Sequence, residues 1–260
     1  MMKPILHTYN ISDDVFAFSS TRKGGVSEGN YGEFNINSFC GDDIEHIAEN
    51  KKSLAKELDI DESHIVIPHQ VHGIESRMIA EEFFSLPENI RSMIVNKVDA
   101  LITNMSGVCI GVSTADCIPV LLYDEKHHAV AAAHAGWHGT LNRIAHKTVV
   151  EMGRCYGCIP SDIKAVIGPG ISLEHFEVGQ EVYDQFANIG FDMNKIAKMY
   201  DKWHIDLPLC NKMQLEDAGL KSENILMSGI CTYADTQNYF SARQLGQDSG
   251  RIFNGILLKK

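Results

Sequence analysis

Between Val98 and Gly136 the chain passes through four short apolar runs in close succession: VDALIT (98–103), VCIGVST (108–114), IPVLLYD (118–124) and HAVAAAHAG (128–136). Each is apolar or β-branched and ends in a polar turn, so each reads as a strand. Further strands are predicted near 163–167, 225–231 and 252–258. Helices are predicted over 41–60, 139–156, 179–188 and 208–219. In the first, Asp42 and Glu45 give an approximate capping box, and Ile44, Ile47, Ala48, Ala55 and Leu58 fall on one face. In the second, Ile144, Ala145, Thr148, Val149 and Met152 do the same. The order of elements has no steady βαβ rhythm. It favours an α+β or layered α/β arrangement over a doubly wound sheet. With no repeat and no long linker, one domain over residues 1–260 is expected.

Composition narrows the function classes. The net charge of −11 argues against broad nucleic-acid or anionic-membrane binding. It leaves room for a small anion held by one or two arginines. The opening MMKPILHTYNISDD lacks the apolar core of a signal peptide, and no apolar run approaches the ~18–20 residues of a membrane span. The expected compartment is the cytoplasm, where the seven cysteines stay reduced.

Chemistry concentrates in TADCIPVLLYDEKHHAVAAAHAGWHG (114–139). Cys117 and His134 sit at the edges of predicted buried strands. Asp116 is a charge in an apolar stretch that needs a partner or an opening to water. HQVHG (69–73) offers further imidazole. One cysteine and two histidines from separate segments suit zinc. Three protein ligands leave a fourth position for a water that ionises near neutral pH. CYGC (155–158) has CxxC spacing, but it ends a predicted helix and has no second CxxC, so metal or redox use is not expected. His127 and His128 fall in a predicted turn and read as solvated. In TRKGG (21–25), Arg22 and the glycine N–H groups form either an anion site or a tight turn.

Taken together, SSTRKGGVS, NIN…CGD, QVHG, VDALIT, STADCIPVLLYD, AAHAGWHGT, IGPGIS…FEVG, CTY…YFSARQ and SGR resemble one family. It is the YfiH/YlmD/FAMIN group of purine nucleoside phosphorylases, also labelled laccase domain or multicopper polyphenol oxidoreductase. The resemblance runs in order from about residue 15 to the C-terminus. It implies a single-domain layered α/β sandwich with mixed sheets, and zinc (Zn2+) held by His72, Cys117 and His134. His69 lies outside the matching triplet and is not taken as a ligand. The resemblance also implies phosphorolysis of adenosine, inosine or methylthioadenosine, and deamination of adenosine. Two departures stand out: His138 replaces an arginine, and Ala242-Arg243-Gln244-Leu245 replaces a tyrosine- and arginine-rich stretch. Four-copper laccase chemistry is not expected, because the 12 histidines form no His-x-His pair.

The leading expectation is a zinc-dependent purine nucleoside enzyme whose partners are nucleosides and phosphate. Cys117 and His134 sit at the reacting centre, Asp116 is a proton carrier, and Arg22, then Arg243, holds phosphate. One alternative is an amidase-type hydrolase, using zinc or a Cys117–His134 pair, that edits a peptidoglycan precursor. Another is a non-catalytic, zinc-stabilised binding protein.

Overall fold

The computed structural model describes residues 3–260. The chain opens with strands β1 (Leu6–Tyr9) and β2 (Val15–Ser20), then helix α1 (Ile44–Leu58), β3 (Ile65–Val66) and β4 (Ser76–Met78). Short helices α2 (Glu81–Ser85) and α3 (Glu88–Ile94) precede four central strands: β5 (Ala100–Thr103), β6 (Cys109–Thr114), β7 (Ile118–Asp124) and β8 (Ala129–Ala135). Helices α4 (Trp137–Leu141) and α5 (Ile144–Tyr156) follow, then β9 (Ile163–Ile167). A small region holds β10 (Glu177–Val178), α6 (Gln180–Asn188), α7 (Met193–Ile196), β11 (Ala197–Met199) and β12 (Trp203–Ile205). The chain finishes with α8 (Leu207–Asp217), β13 (Ile225–Met227), α9 (Ala242–Leu245) and β14 (Ile252–Leu258).

The strands form a five-stranded sheet (β1-β2-β14-β6-β3), a six-stranded sheet (β13-β9-β7-β8-β5-β4) and a three-stranded one (β10-β12-β11). The two larger sheets mix parallel and antiparallel pairs, as expected. They pack face to face, and the period of two along each strand sorts its residues into separate cores. Ala17, Ile110, Val112 and Ile256 meet Leu101, Leu121, Tyr123, Val130, Ala132 and Val166 between the sheets. The alternate residues point outward. Phe18, Cys109, Phe253 and Leu257 pack under Leu54, Ala55 and Leu58 of α1. Val120, Leu122 and the alanines at 129, 131, 133 and 135 pack under α5 and α8. Both faces of both sheets are therefore covered, which is why the central strands read as unbroken apolar runs.

Three local expectations change. The helix predicted over 139–156 is two helices, interrupted at Asn142 and at Arg143, whose φ is +63°. Gln214 of α8 donates to the Thr140 carbonyl at 2.7 Å and Asn211 to its hydroxyl at 3.0 Å, so a neighbouring helix supplies contacts at the break. The strand predicted over 225–231 stops at Met227, two residues before Gly229 at φ +67°. Helix α1 is capped by Asp43 rather than Asp42, whose carboxylate accepts from Ser27 and Asn35. That start leaves Ile44 78% exposed and Ala48 exposed, while Asn50, Ser53 and Leu54 turn inward. No helix of the described residues is long and apolar enough to cross a membrane.

Candidate metal centre and its cleft

The link between β6 and β7 crosses from one large sheet to the other. Its residues Ala115, Asp116 and Cys117 therefore lie at the open end of the layer between them. His134, on the inter-sheet side of β8, reaches the same place. His72 arrives from the loop between β3 and β4. Gln70 holds that loop to β6 like an extra strand: its amide donates to the Ser113 carbonyl and accepts the Ser113 N–H, both at 2.8 Å. His72 has a φ of +62°, unusual for a residue with a side chain.

The ligand atoms of His72, Cys117 and His134 lie within 4.8 Å of one another. His72 is exposed, Cys117 half-buried and His134 buried, so the cluster opens on the His72 side. Asp99 organises it. Its Oδ1 accepts from the His134 ring Nδ1 at 2.8 Å and from the His72 N–H at 3.0 Å. Its Oδ2 accepts from the N–H groups of Gly73 at 2.8 Å and Val71 at 3.2 Å. One fully buried carboxylate thus shapes the His72 loop and fixes the His134 tautomer, leaving Nε2 for the cluster. Burial would push the Asp99 carboxyl up, but hydrogen bonds and the His134 charge hold it below its ordinary range.

Electrostatics pair the two inner ligands. Burial disfavours charge on both, and their mutual attraction overrides it. The Cys117 thiol falls to about 6 beside His134 and His72, and His134 rises to about 9 beside Cys117 and Asp99. The pairing favours the thiolate of Cys117, the form that binds metal. Gly136 keeps the space open. A Cβ there would stand 2.8 Å from His72 Cδ2, 3.1 Å from Cys117 Sγ and 3.8 Å from His134 Cε1. One thiolate and two imidazoles around a cradle that a single methyl would fill suit zinc.

The cluster lies in a cleft of about 530 Å³. Phe39, Trp137 and Phe176 give the lining aromatic faces, and Phe39 stacks on His69 at 4.3 Å. His69 lines the cleft outside the ligand cluster, with its Nδ1 on Asn96 at 2.7 Å. Asp116 also lines it. Its two oxygens accept from the Thr232 hydroxyl and the Arg243 backbone N–H, both at 2.8 Å. The Arg243 side chain lines the cleft too, with Nη1 on the Glu177 carbonyl at 3.2 Å and its guanidinium 5.6 Å from the Phe176 ring.

Arg22 does not join them. Its Nε donates to Gly32 O and its Nη1 to Thr236 O, both at 2.9 Å, and its guanidinium lies 4.7 Å from the Phe240 ring. Arg22 is half-buried and ties the glycine-rich loop to the 236–240 segment. Several cleft residues went unread in the sequence, Phe39 and Phe176 among them. Arg251 lines the cleft. Ser113, also in the lining, is 5% exposed, and its hydroxyl has no hydrogen-bond partner among the described residues. Asp99 was missed as well, although a carboxylate opening an apolar strand is the same signal that singled out Asp116.

Comparison with known proteins gives the family. Residues 16–259 match the family model described as multi-copper polyphenol oxidoreductase laccase. A purine nucleoside phosphorylase of Bacteroides thetaiotaomicron is 43% identical, covering 95% of this chain and 93% of its own. Adenosine deaminase RL5, from an unknown prokaryotic organism, is 38% identical over 95% of each chain. The crystal structure of YlmD from Geobacillus stearothermophilus superposes with a TM-score of 0.89 at 28% identity, covering 97% of this chain and 94% of that one. With its layered fold, its motifs and these matches, the chain belongs to the laccase-like YfiH/YlmD family.

Proposed function

We propose that this protein is a zinc-dependent purine nucleoside enzyme that cleaves nucleosides with phosphate and deaminates adenosine. The observation that carries the reading is the convergence of His72, Cys117 and His134 inside an aromatic-walled cleft of about 530 Å³. That size suits a small-molecule ligand such as a nucleoside. The names of the purine nucleoside phosphorylase and adenosine deaminase relatives support the substrate class. His72, Cys117 and His134 would hold the metal, which when bound supplies Lewis-acid polarisation and a water ionisable near neutral pH. The sequence has no His-x-His pair for a copper cluster.

The other residues have separable roles. Phe39, Trp137 and Phe176 offer faces for a purine ring. Ser113, buried with a hydroxyl that has no partner among the described residues, hydrogen-bonds the bound nucleoside. Asp116 is the one carboxylate among the lining residues, so it is the group that moves a proton at the purine edge. Arg243 and Arg251 supply positive charge for phosphate.

The test is to incubate zinc-loaded protein with adenosine, inosine and methylthioadenosine, with and without phosphate, and to identify the products. Free base with ribose 1-phosphate, or with its 5-methylthio analogue from methylthioadenosine, and phosphate-independent ammonia from adenosine are expected. Arg243→Ala should raise the KM for phosphate roughly tenfold, the lower end for a charged hydrogen bond at an exposed group, and leave ammonia release much less affected. The absence of any product from all three nucleosides would overturn the reading. One observation favours a second reading: the Cys117 thiol and the His134 ring lie within 4.8 Å of each other, which is also the arrangement of a thiol nucleophile and its base acting on an amide. Turnover of an amide by metal-free protein, blocked by alkylating Cys117, would select it.

A further inference from the structure

A second set of metal-binding side chains meets at the other end of β7. Asp124 closes that strand, His127 stands in the turn to β8, and Cys158 follows the C-terminal end of α5. Their ligand atoms also lie within 4.8 Å of one another. Cys117 precedes β7 and Asp124 ends it, so seven residues of extended chain put the clusters about 20 Å apart. We propose that Asp124, His127 and Cys158 form a second site for a borderline-soft divalent cation such as zinc, independent of the cleft.

The carboxylate carries the argument. Asp124 is fully buried, and a buried charge ordinarily has a countercharge. Among the described residues no lysine or arginine pairs with it: Lys126 goes to Asp162 at 2.8 Å and Lys164 to Glu125 at 3.3 Å. Among the described residues its ionisable cation partner is His127, whose Nδ1 is 2.9 Å from Oδ2. The other oxygen accepts the N–H groups of Lys126 and His127 at 2.9 and 3.2 Å. The turn is therefore held without the His127 ring or the Cys158 thiol, and both are available to a cation. Carboxylate, imidazole and thiolate are three zinc donors. The negative end of α5 adds favourable potential. The His127 side chain is 31% exposed, which provides an entry path and a place for a solvent ligand.

A cation bound here displaces the Cys158 thiol proton and the proton between His127 and Asp124. Cys158 thus acts with Asp124 and His127, not with exposed Cys155, its partner in the CxxC spacing.

The test counts zinc bound per chain after metal-stripped protein is dialysed against zinc at mildly alkaline pH. Two equivalents are expected in the wild type, and one each in His127→Ala, Cys158→Ala and Cys117→Ala. His127→Ala leaves buried Asp124 without its cation partner, so urea unfolding and nucleoside turnover of each variant are measured beside the zinc count; a variant that unfolds like the wild type and keeps its turnover but has lost one equivalent supports the site. Cobalt-loaded Cys117→Ala should keep a near-ultraviolet thiolate-to-metal band that the further change Cys158→Ser removes. A single equivalent in the wild type with none in Cys117→Ala would overturn the proposal. So would a second equivalent that survives both His127→Ala and Cys158→Ala.

Discussion

Gly136→Ala tests the metal cradle with one methyl group. Gly136 has φ −66° and ψ 172°, extended backbone that alanine adopts freely, so only space is changed. The new Cβ would lie 2.8 Å from His72 Cδ2 and 3.1 Å from Cys117 Sγ. Carbon contacts are comfortable at about 3.5–4.0 Å, so the His72 ring must retreat by about 0.7 Å or more, and the sulfur by several tenths. Metal–ligand distances tolerate roughly ±0.2 Å. Two of the three ligands are thus displaced beyond that tolerance, more than an outer-shell change that costs 10–100-fold. Zinc affinity should therefore fall by about 100-fold or more, close to 3 kcal/mol. The metal-free fold should be nearly as stable as the wild type, because replacing glycine restricts the unfolded chain by about 0.4–1 kcal/mol in compensation. Competition against a chromophoric chelator measures the affinity, and urea unfolding of metal-free protein measures the stability. Wild-type zinc affinity in Gly136→Ala would refute the reasoning, because the three ligands would then not share the space this glycine leaves.

Asp99→Asn should weaken zinc binding 10–100-fold and lower stability by about 2–4 kcal/mol. Each Asp99 oxygen accepts two hydrogen bonds, so either placement of the amide leaves two donors facing an N–H group. Unchanged chelator competition and urea midpoint would contradict this. Arg22→Ala should lower stability by about 1–3 kcal/mol through its two lost carbonyl bonds and its stacking on Phe240, while the KM for phosphate stays put. A raised phosphate KM at unchanged stability would return Arg22 to the anion site.

The sequence by itself determined a good deal. The strands 118–124, 163–167 and 252–258 appear at their predicted bounds, because short apolar runs closed by polar turns are a local property of the chain. The family followed from motifs spread in order over nearly the whole length. Cys117 and His134 stood out as reactive groups at the ends of buried strands. Tertiary structure decided what those groups meet. Arg22 had one local signature for two roles, and the Gly32 and Thr236 carbonyls, the latter more than 200 residues away, settled its geometry. Asp116 and Arg243 are joined only because the β6–β7 link passes the start of α9. Cys158 looked like half of a CxxC pair, yet its neighbours are a strand-end carboxylate and a turn histidine. Asp99 collects hydrogen bonds from Val71, His72, Gly73 and His134, segments that share no sequence pattern with it. Periodicity records which face of an element is buried. A site is built where the ends of different elements converge, and that convergence is set by how the two large sheets stack.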